Sequence, residues 1–362
     1  MCNYSVKNKI MGMIFFLLSY TMVIFATESL RFQTQIKMFT RIIILAPGIF
    51  LIIRFLRLPK DKFLIILMLV FLSFLCVING FENITHTLDF LALVYIVLLI
   101  DISDTIDLFY KSTLWGTLLA LITIILLVNF GFLENKMYVD NLGRIRNSYG
   151  FFNTNSLALY AFSFSIFLYL YKKSKISLLI STLVMLITFY ITGSRTPFFS
   201  FLLFLFLVIF FKKGNIALKR KINIFLVIII LLFYIYLAVN YQNYTNINYI
   251  LSGRPSLIYK FFSNLSLREL IFGGNLFKVT IDNAYILLLK FYGILFLILF
   301  FLILNHVREH RPHELAFIIS MLIYGLFEGV LASPAVPVSS LFWYLTLFGG
   351  QTSPKTTNQN GS

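Results

Sequence analysis

Long apolar runs recur along this chain, and they constrain its fold more than any other feature. Most of them cover about 17 to 22 residues, the length that a helix needs to cross the hydrocarbon layer of a membrane. Lipid offers the backbone no hydrogen-bond partners, so such runs are expected to be helical. About twelve spans are expected, near residues 10–27, 38–56, 63–79, 87–100, 112–132, 154–171, 176–192, 197–211, 222–240, 283–304, 314–331 and 336–350. The sequence therefore predicts an all-α, polytopic bundle of transmembrane helices.

The composition leaves no room for a soluble domain of any size. Hydrophobic residues make up 59% of the 362 residues and charged residues 12%, whereas about a quarter of a globular domain is charged. We expect residues 1–350 to form a single integral membrane domain and the polar tail, 351–362, to be disordered and cytoplasmic. The two cysteines, Cys2 and Cys76, have no spacing that indicates a disulfide framework or a metal site.

The net charge of +16 reflects orientation in the membrane rather than nucleic-acid binding. Basic residues gather in short segments between the apolar runs, above all at 172–175 and 212–221, and such segments favour the cytoplasmic side. This places both termini in the cytoplasm. The segment 241–282 then becomes an outer loop of about 40 residues, well beyond the usual length of a connection and therefore expected to be functional.

Arginines stand out on the predicted outer side, against the general tendency of basic residues. Arg144 and Arg146 precede the sixth span, Arg195 lies in a very short turn, and Arg254 lies in the long loop. A guanidinium offers a planar fork of donors that can grip a phosphate with two hydrogen bonds. These residues therefore indicate an anionic ligand, although contacts with lipid headgroups and aromatic anchoring at the interface remain alternative explanations.

Carboxylates and amides accompany these arginines. Asp282 lies at the membrane boundary, where it could take a proton from a sugar hydroxyl or simply interact with a helix dipole. Glu328 interrupts an apolar run and should face the bundle interior, as a partner for an arginine or for a substrate. Asn155 lies near the start of the sixth span as a polar contact or a cap. Asp101, Asp104 and Asp107 are better explained as a solvated helix face, and no metal site is expected.

The motifs RNSYGFFNTN, GSRT, SGR and DNAYILLLKFYG occur in this order on the predicted outer side. The chain thereby resembles the Wzy-type O-antigen and capsular polysaccharide polymerases, which are related to the O-antigen ligases. The resemblance implies a bundle of the glycosyltransferase-C kind in the cytoplasmic membrane of a bacterium. It also implies glycosyl transfer between undecaprenyl-diphosphate-linked oligosaccharides at the outer face, with no metal and no cofactor.

On this hypothesis the candidate residues take distinct roles. Arg254 and Arg195 stabilise the leaving diphosphate, and Asp282 orients or deprotonates the acceptor hydroxyl. Diphosphate contacts are assigned to Arg144, Arg146, Asn155 and Asn283. Glu328 and Tyr285 are supporting residues within the membrane.

Two alternatives remain open at this stage. Ligases of this superfamily carry a histidine just before the asparagine that corresponds to Asn283, whereas this chain has Asp282 there, which favours a polymerase. A flippase that moves lipid-linked sugars should carry its charges near the midplane, commonly in two related halves, whereas here they gather beside one loop. Membrane lipid, a chain-length regulator and a separate flippase are the expected partners, and nucleic acid is not.

Overall fold

The computed structural model is mostly helical. It describes residues 2–27, 84–103, 106–139, 145–211, 216–251, 253–274, 281–305, 310–332 and 336–349, with isolated positions at 46, 71, 72, 74, 75, 78, 79 and 143. The helices in these ranges are α1 (Cys2–Ile24), α2 (Ile84–Ile102), α3 (Ile106–Asn129), α4 (Thr154–Lys172), α5 (Lys175–Thr192), α6 (Arg195–Phe210), α7 (Ile216–Val239), α8 (Thr245–Ile250), α9 (Arg254–Ser263), α10 (Leu267–Phe272), α11 (Ala284–Asn305), α12 (Pro312–Gly325) and α13 (Pro337–Phe348). Most of the expected spans 38–56 and 63–79, together with Arg144, Asp104 and the tail, lies outside the described residues.

Four of these helices are long and apolar enough to cross a membrane: α1 from Val6, α3, α5 and α11. Shorter apolar helices accompany them at Phe90–Ile102, Arg195–Phe210, Ile228–Val239, Pro312–Gly325 and Pro337–Phe348. The prediction of a helical membrane protein is thereby confirmed in its coarse form. The number of twelve spans stays a prediction.

The helices run back and forth, so the bundle has two ends. Arg146 donates one hydrogen bond to the carbonyl of Thr192, where α5 ends, and another to Asn155, where α4 begins. Glu328, just beyond α12, accepts from Asn155 at the same place. We call this the site end. The turn between α4 and α5 holds Lys172, Lys173 and Lys175 and lies at the opposite end, which we call the lysine end.

A small β-hairpin precedes α4 at the site end. Strand β1 (Met137–Val139) pairs antiparallel with β2 (Ile145–Asn147), with Tyr138 opposite Arg146. A bridge between Thr27 and Phe151, together with a hydrogen bond from Phe152 N–H to the carbonyl of Ala26, fastens the following segment to the end of α1. The all-α prediction omitted this hairpin, which supplies the backbone on which Arg146 is carried.

Small residues and buried polar contacts join the helices, as expected where lipid removes the hydrophobic driving force between helices. The hydroxyls of Ser165 in α4 and Ser181 in α5 each donate to the other residue's carbonyl. In α3, a Cβ on Gly116 would lie 2.4 Å from the carbonyl oxygen of Phe16, so only glycine permits this approach to α1. Edge-to-face aromatic contacts, such as that of Phe90 with Trp343, complete the interior.

Helix α11 is interrupted at Gly293, about 14 Å along its axis from Ala284 at 1.5 Å per residue. Gly293 has φ 77° and ψ 176°, a backbone conformation outside the helical region. A Cβ there would lie 2.1 Å from the carbonyl oxygen of Ile271. The backbone at the end of α10 therefore packs directly against the backbone of α11 at the break. The N–H of Gly274 donates to the carbonyl of Lys290 over 2.9 Å. The freed helix carbonyl is therefore paired within the protein, as a break in an apolar layer requires.

Candidate functional site

Arg254 lies between two carboxylates at the site end. It is the first residue of α9, and its Nε lies 3.3 Å from Oδ2 of Asp282 while its Nη2 lies 3.2 Å from Oε1 of Glu328. The side chains of Arg254 and Glu328 are only 18% and 17% exposed, and that of Asp282 is 41% exposed. Buried charges are stable only when paired, so the three side chains define one another's positions.

Asn155 extends this arrangement to α4 and α6. Its Oδ1 accepts from Nη2 of Arg146 at 2.8 Å and from the hydroxyl of Ser194 at 2.8 Å, and its Nδ2 donates to Oε1 of Glu328 at 3.4 Å. One amide therefore connects two regions of the sequence that each contain a candidate arginine. We call the six residues Arg146, Asn155, Ser194, Arg254, Asp282 and Glu328 the polar network.

Arg146 is held from two sides. Besides its contact with Asn155, its Nε donates to the carbonyl of Thr192 at 2.7 Å. Its side chain passes over Gly193, where a Cβ would lie 3.4 Å from Cγ of Arg146. A cation at the end of α5 is favourable because helix C-termini carry partial negative charge. Arg146 thus secures the turn between α5 and α6 and positions Asn155.

Arg195 differs from the candidate arginines Arg146 and Arg254. It begins α6 and is partly exposed, and within the described part of the chain its guanidinium has no hydrogen bond or ion pair. The preceding Ser194 makes no side-chain cap hydrogen bond to the helix, and its hydroxyl donates to Asn155. An available guanidinium and uncapped N–H groups at a helix start both favour an anion.

The charges of the polar network cancel: Arg146 and Arg254 are balanced by Asp282 and Glu328. A further anion must therefore bind to Arg195, or to a guanidinium of the network after its carboxylate partner has moved away. Asp282 is the carboxylate more easily released, because it is the more exposed of the two and precedes α11 in a non-helical segment.

Asn283 and Tyr285 lie just behind this site. The Asn283 side chain is 2% exposed; its oxygen accepts from the N–H groups of Tyr285 and Ile286, and its nitrogen donates to the carbonyl of Leu326. The buried hydroxyl of Tyr285 donates to the carbonyl of Leu322. Both residues therefore fix the start of α11 against the end of α12, and a diphosphate contact by Asn283 would require it to leave these partners.

The tyrosines of the long loop contact one another as well as facing outward. The rings of Tyr241 and Tyr259 lie 5.1 Å apart, and the hydroxyls of Tyr236 and Tyr244 lie 3.3 Å apart. That hydrogen bond raises the pKa of Tyr244 above its ordinary value. Tyr249 is 55% exposed. The loop that carries Arg254 thus offers aromatic faces and hydroxyls at its surface.

The structure brings together Arg146, Asn155, Arg254, Asp282 and Glu328, and sets Arg195 next to Ser194. Sequence reasoning missed Ser194 and the carbonyl of Thr192, although both belong to the short TGSRTP turn that drew attention to Arg195. Among the described residues, no group of three or more histidine, cysteine, aspartate and glutamate side chains is placed to hold a metal ion.

Comparison with known proteins adds no relative. No family model, no curated protein and no solved structure matches the chain. Its function must therefore be inferred from the site and from the chemistry of its residues.

Proposed function

We propose that this protein is a membrane glycosyltransferase that joins undecaprenyl-diphosphate-linked oligosaccharide repeats into a polysaccharide. The observation that carries the proposal is the position of Arg254, held by Asp282 and Glu328 in a polar network at one end of an apolar helix bundle. Arg195, whose guanidinium has no partner among the residues that the structure describes, begins the helix next to that network. Such a site combines cationic groups for a diphosphate with a carboxylate for a hydroxyl.

The reaction needs two kinds of group, and the site supplies both. A hydroxyl oxygen of the acceptor sugar attacks the anomeric carbon of the donor, and the bond from that carbon to the diphosphate breaks. The electron pair of the broken bond goes to the bridging oxygen of undecaprenyl diphosphate, where Arg254 and Arg195 stabilise the growing negative charge. The hydroxyl proton passes to the carboxylate of Asp282. Neither step requires a metal or a cofactor.

The donor has to compete with the carboxylates that already hold Arg254. In our proposal the diphosphate takes the place of Asp282, which is partly exposed and whose one ion pair among the described residues is the 3.3 Å contact with Nε of Arg254. Glu328 stays, because it is buried and is also bonded to Asn155. Once it has left the guanidinium, the Asp282 carboxylate is free to accept a hydrogen bond from the acceptor hydroxyl.

The proposed location of the site depends on which end of the bundle faces the cytoplasm. Lysine clusters favour the cytoplasmic side, so the lysine end faces the cytoplasm and the site end faces outward, in the cytoplasmic membrane of a bacterium. A chain-length regulator and a flippase that delivers the repeat units would be the partners there.

A carrier of lipid-linked sugars is the second candidate, and the interruption of α11 at Gly293 favours it. Discontinuous helices are common at the substrate sites of transporters. In this chain, however, the break is filled by the backbone of residues 271–274 rather than left open. The first part of α11 separates the break from the polar network, which lies at the site end. The break therefore fits a structural crossing better than a transport site.

Incubation of the purified protein with lipid-linked repeat units tests the proposal. The units would be extracted from the bacterium that carries this chain, and the products separated by gel electrophoresis. A polymerase yields a ladder of products together with free undecaprenyl diphosphate. Movement of the units across proteoliposome membranes without a new glycosidic bond would instead identify a carrier.

A further inference from the structure

A groove at the lysine end lies apart from the polar network. It is a cavity of about 510 Å³ between α1 and α3. Its lining residues are Asn8, Lys9, Gly12, Phe16, Leu108, Lys111, Ser112 and Trp115. None of these has a part in the proposed transfer reaction, so the groove needs its own explanation.

The close packing of α1 and α3 creates the groove. At Gly116 the two helices approach so closely that a Cβ would collide with the carbonyl of Phe16. Nearer the lysine end, Gly12 lines the groove, and a Cβ there would lie 3.3 Å from both Leu108 and Ser112. The absence of a side chain at Gly12 therefore keeps this part of the groove open.

The groove is cationic at its lysine end. Lys9 and Lys111 are exposed, and neither has a hydrogen bond or an ion pair within the described part of the chain. The side-chain oxygen of Asn8 is buried there without a hydrogen-bond partner among the described residues. Ser112 adds a hydroxyl, and no carboxylate is among the lining residues. Two ammonium groups and a hydroxyl favour an anion that accepts several hydrogen bonds.

The groove becomes apolar toward the middle of the bundle. Phe16 lies about 10 Å beyond Lys9 along α1, from the helical rise of 1.5 Å per residue. Trp115 lies one turn beyond Lys111 on α3 and is 52% exposed. A ligand that fills the groove must therefore have an anionic head and a long apolar tail, in that order from the lysine end.

We infer that this groove binds an anionic phospholipid of the leaflet at the lysine end. The phosphate would lie between Lys9 and Lys111, and an acyl chain would lie along Phe16 and Trp115. A lysine that merely extends toward the headgroups has no preference for one lipid molecule, whereas paired lysines above an apolar groove select a net negative headgroup. A zwitterionic lipid brings its own ammonium group and gains less.

Native mass spectrometry of the full chain, released from detergent, tests this inference. The probes are phosphatidylglycerol and phosphatidylethanolamine with identical acyl chains, added at equal concentration. We expect retained phosphatidylglycerol, little phosphatidylethanolamine, and a drop in phosphatidylglycerol affinity of roughly tenfold in the double variant Lys9→Ala/Lys111→Ala. Both lysines are exposed, so the double variant should fold, and its thermal unfolding would be checked.

Lys175→Ala is the matched control, because it removes one positive charge from the same end outside the groove. It should retain phosphatidylglycerol as the unaltered chain does. An equal loss in Lys175→Ala would show that general surface charge attracts the lipid and would overturn the inference. So would full retention in the double variant, or equal retention of the two lipids. The Lys9→Arg/Lys111→Arg variant keeps both charges and should keep the binding.

Discussion

Nη2 of Arg254 donates to Oε1 of Glu328 over 3.2 Å, although 74 positions separate the two residues in the chain. The contact joins the start of α9 in the long loop to the segment that follows α12. Because both side chains are largely buried, removal of Arg254 would leave Glu328 without its ion-pair partner, which is strongly destabilising, whereas removal of Glu328 would leave Arg254 its contact with Asp282. The pair is therefore a precise target for experiments on the site.

The Arg254→Lys variant should lose nearly as much activity as Arg254→Ala. The planar guanidinium reaches Asp282 with Nε and Glu328 with Nη2, whereas an ammonium is a compact point charge that cannot reproduce this fork. We expect single-turnover polymerisation to fall roughly 100-fold or more in both variants, and donor binding to weaken less. Lys260→Ala, at an exposed position of the same helix, is the control.

All three variants must first be shown to reach the membrane in normal amounts. A normal rate and polymer length in Arg254→Ala would remove Arg254 from the site. A loss confined to donor binding would make it an anchor for the diphosphate rather than a stabiliser of the leaving group.

The Asp282→Asn variant should bind a lipid diphosphate more tightly while losing turnover. The substitution removes the carboxylate that competes for Arg254, and it also removes the proton acceptor. With farnesyl diphosphate as the probe, we expect affinity to rise roughly fivefold, a modest gain because Asp282 is partly exposed. Calorimetry on the detergent-solubilised protein would measure it.

Two comparisons make the Asp282 experiment specific. The gain should vanish when Arg254→Ala is also present, because no guanidinium is then released. Glu134→Gln removes the same charge from an exposed position and should change affinity little. If the gain in diphosphate affinity persists in the Arg254→Ala background, the diphosphate does not displace Asp282 from Arg254. If Asp282→Asn shows no gain although the unaltered chain polymerises, displacement is wrong and the proposed function stands.

The Gly293→Ala variant should be strongly destabilised. Its Cβ would lie 2.1 Å from the carbonyl oxygen of Ile271, so α10 would have to separate from α11. Gly131→Ala is the matched control, since Gly131 has φ +76° but open space around it, and it should lose only about 1 kcal/mol for the left-handed backbone. Thermal unfolding followed by fluorescence-detected chromatography compares them. Equal stability losses would mean that the crossing contributes nothing.

The two ends of the bundle should lie on opposite sides of the membrane. With Cys2 and Cys76 replaced, a cysteine introduced at Asn243 should react with an impermeant maleimide in intact cells, and one at Lys175 only after permeabilisation. Both positions are exposed, so access depends on the membrane alone. Labelling in the reverse order would place the polar network on the cytoplasmic side and overturn the proposed location.

Polymer formation should survive a strong chelator. The proposed charge stabilisation comes from Arg254 and Arg195 rather than from a metal ion. We expect the product ladder to be unchanged in EDTA, with a metal-dependent glycosyltransferase assayed in parallel as the control. Loss of the ladder and its recovery with a divalent cation would redirect attention to Asp101, Asp104 and Asp107.

The sequence predicted much of the candidate site because its charged residues lie where charge is unexpected. Glu328 interrupts an apolar run, Asp282 lies at the membrane boundary, and Arg146 and Arg254 lie on the predicted outer side; the structure joins all four through hydrogen bonds and ion pairs. Which arginine pairs with Glu328 could not be predicted. Asn155 connects them with two different atoms, and its orientation depends on Ser194, which is inconspicuous in the sequence.

The apolar periodicity located the long helices but not their irregularities. Residues 283–304 were expected to form one span, and Gly293 is compatible with a continuous helix because glycine is tolerated there at a small cost. The break becomes visible only when the backbone of residues 271–274 is placed against it. The hairpin escaped prediction for another reason: each strand has three residues, too few for an alternating pattern to be recognised.

The crossing at Gly293 also determines which parts of the site can move. The loop that follows α9 is attached twice, where residues 271–274 meet α11 and where Asp282 enters that helix. Both attachments are to α11, so the backbone at Asp282 is anchored, whereas its side chain is 41% exposed and can turn away from Arg254. Helix α9 lies before the first attachment and is held instead by Ile258 and Phe261, which pack against Tyr234 and Ala238 of α7. In the proposed reaction, the incoming diphosphate would therefore need to move one side chain, that of Asp282, while the backbone around it stays in place.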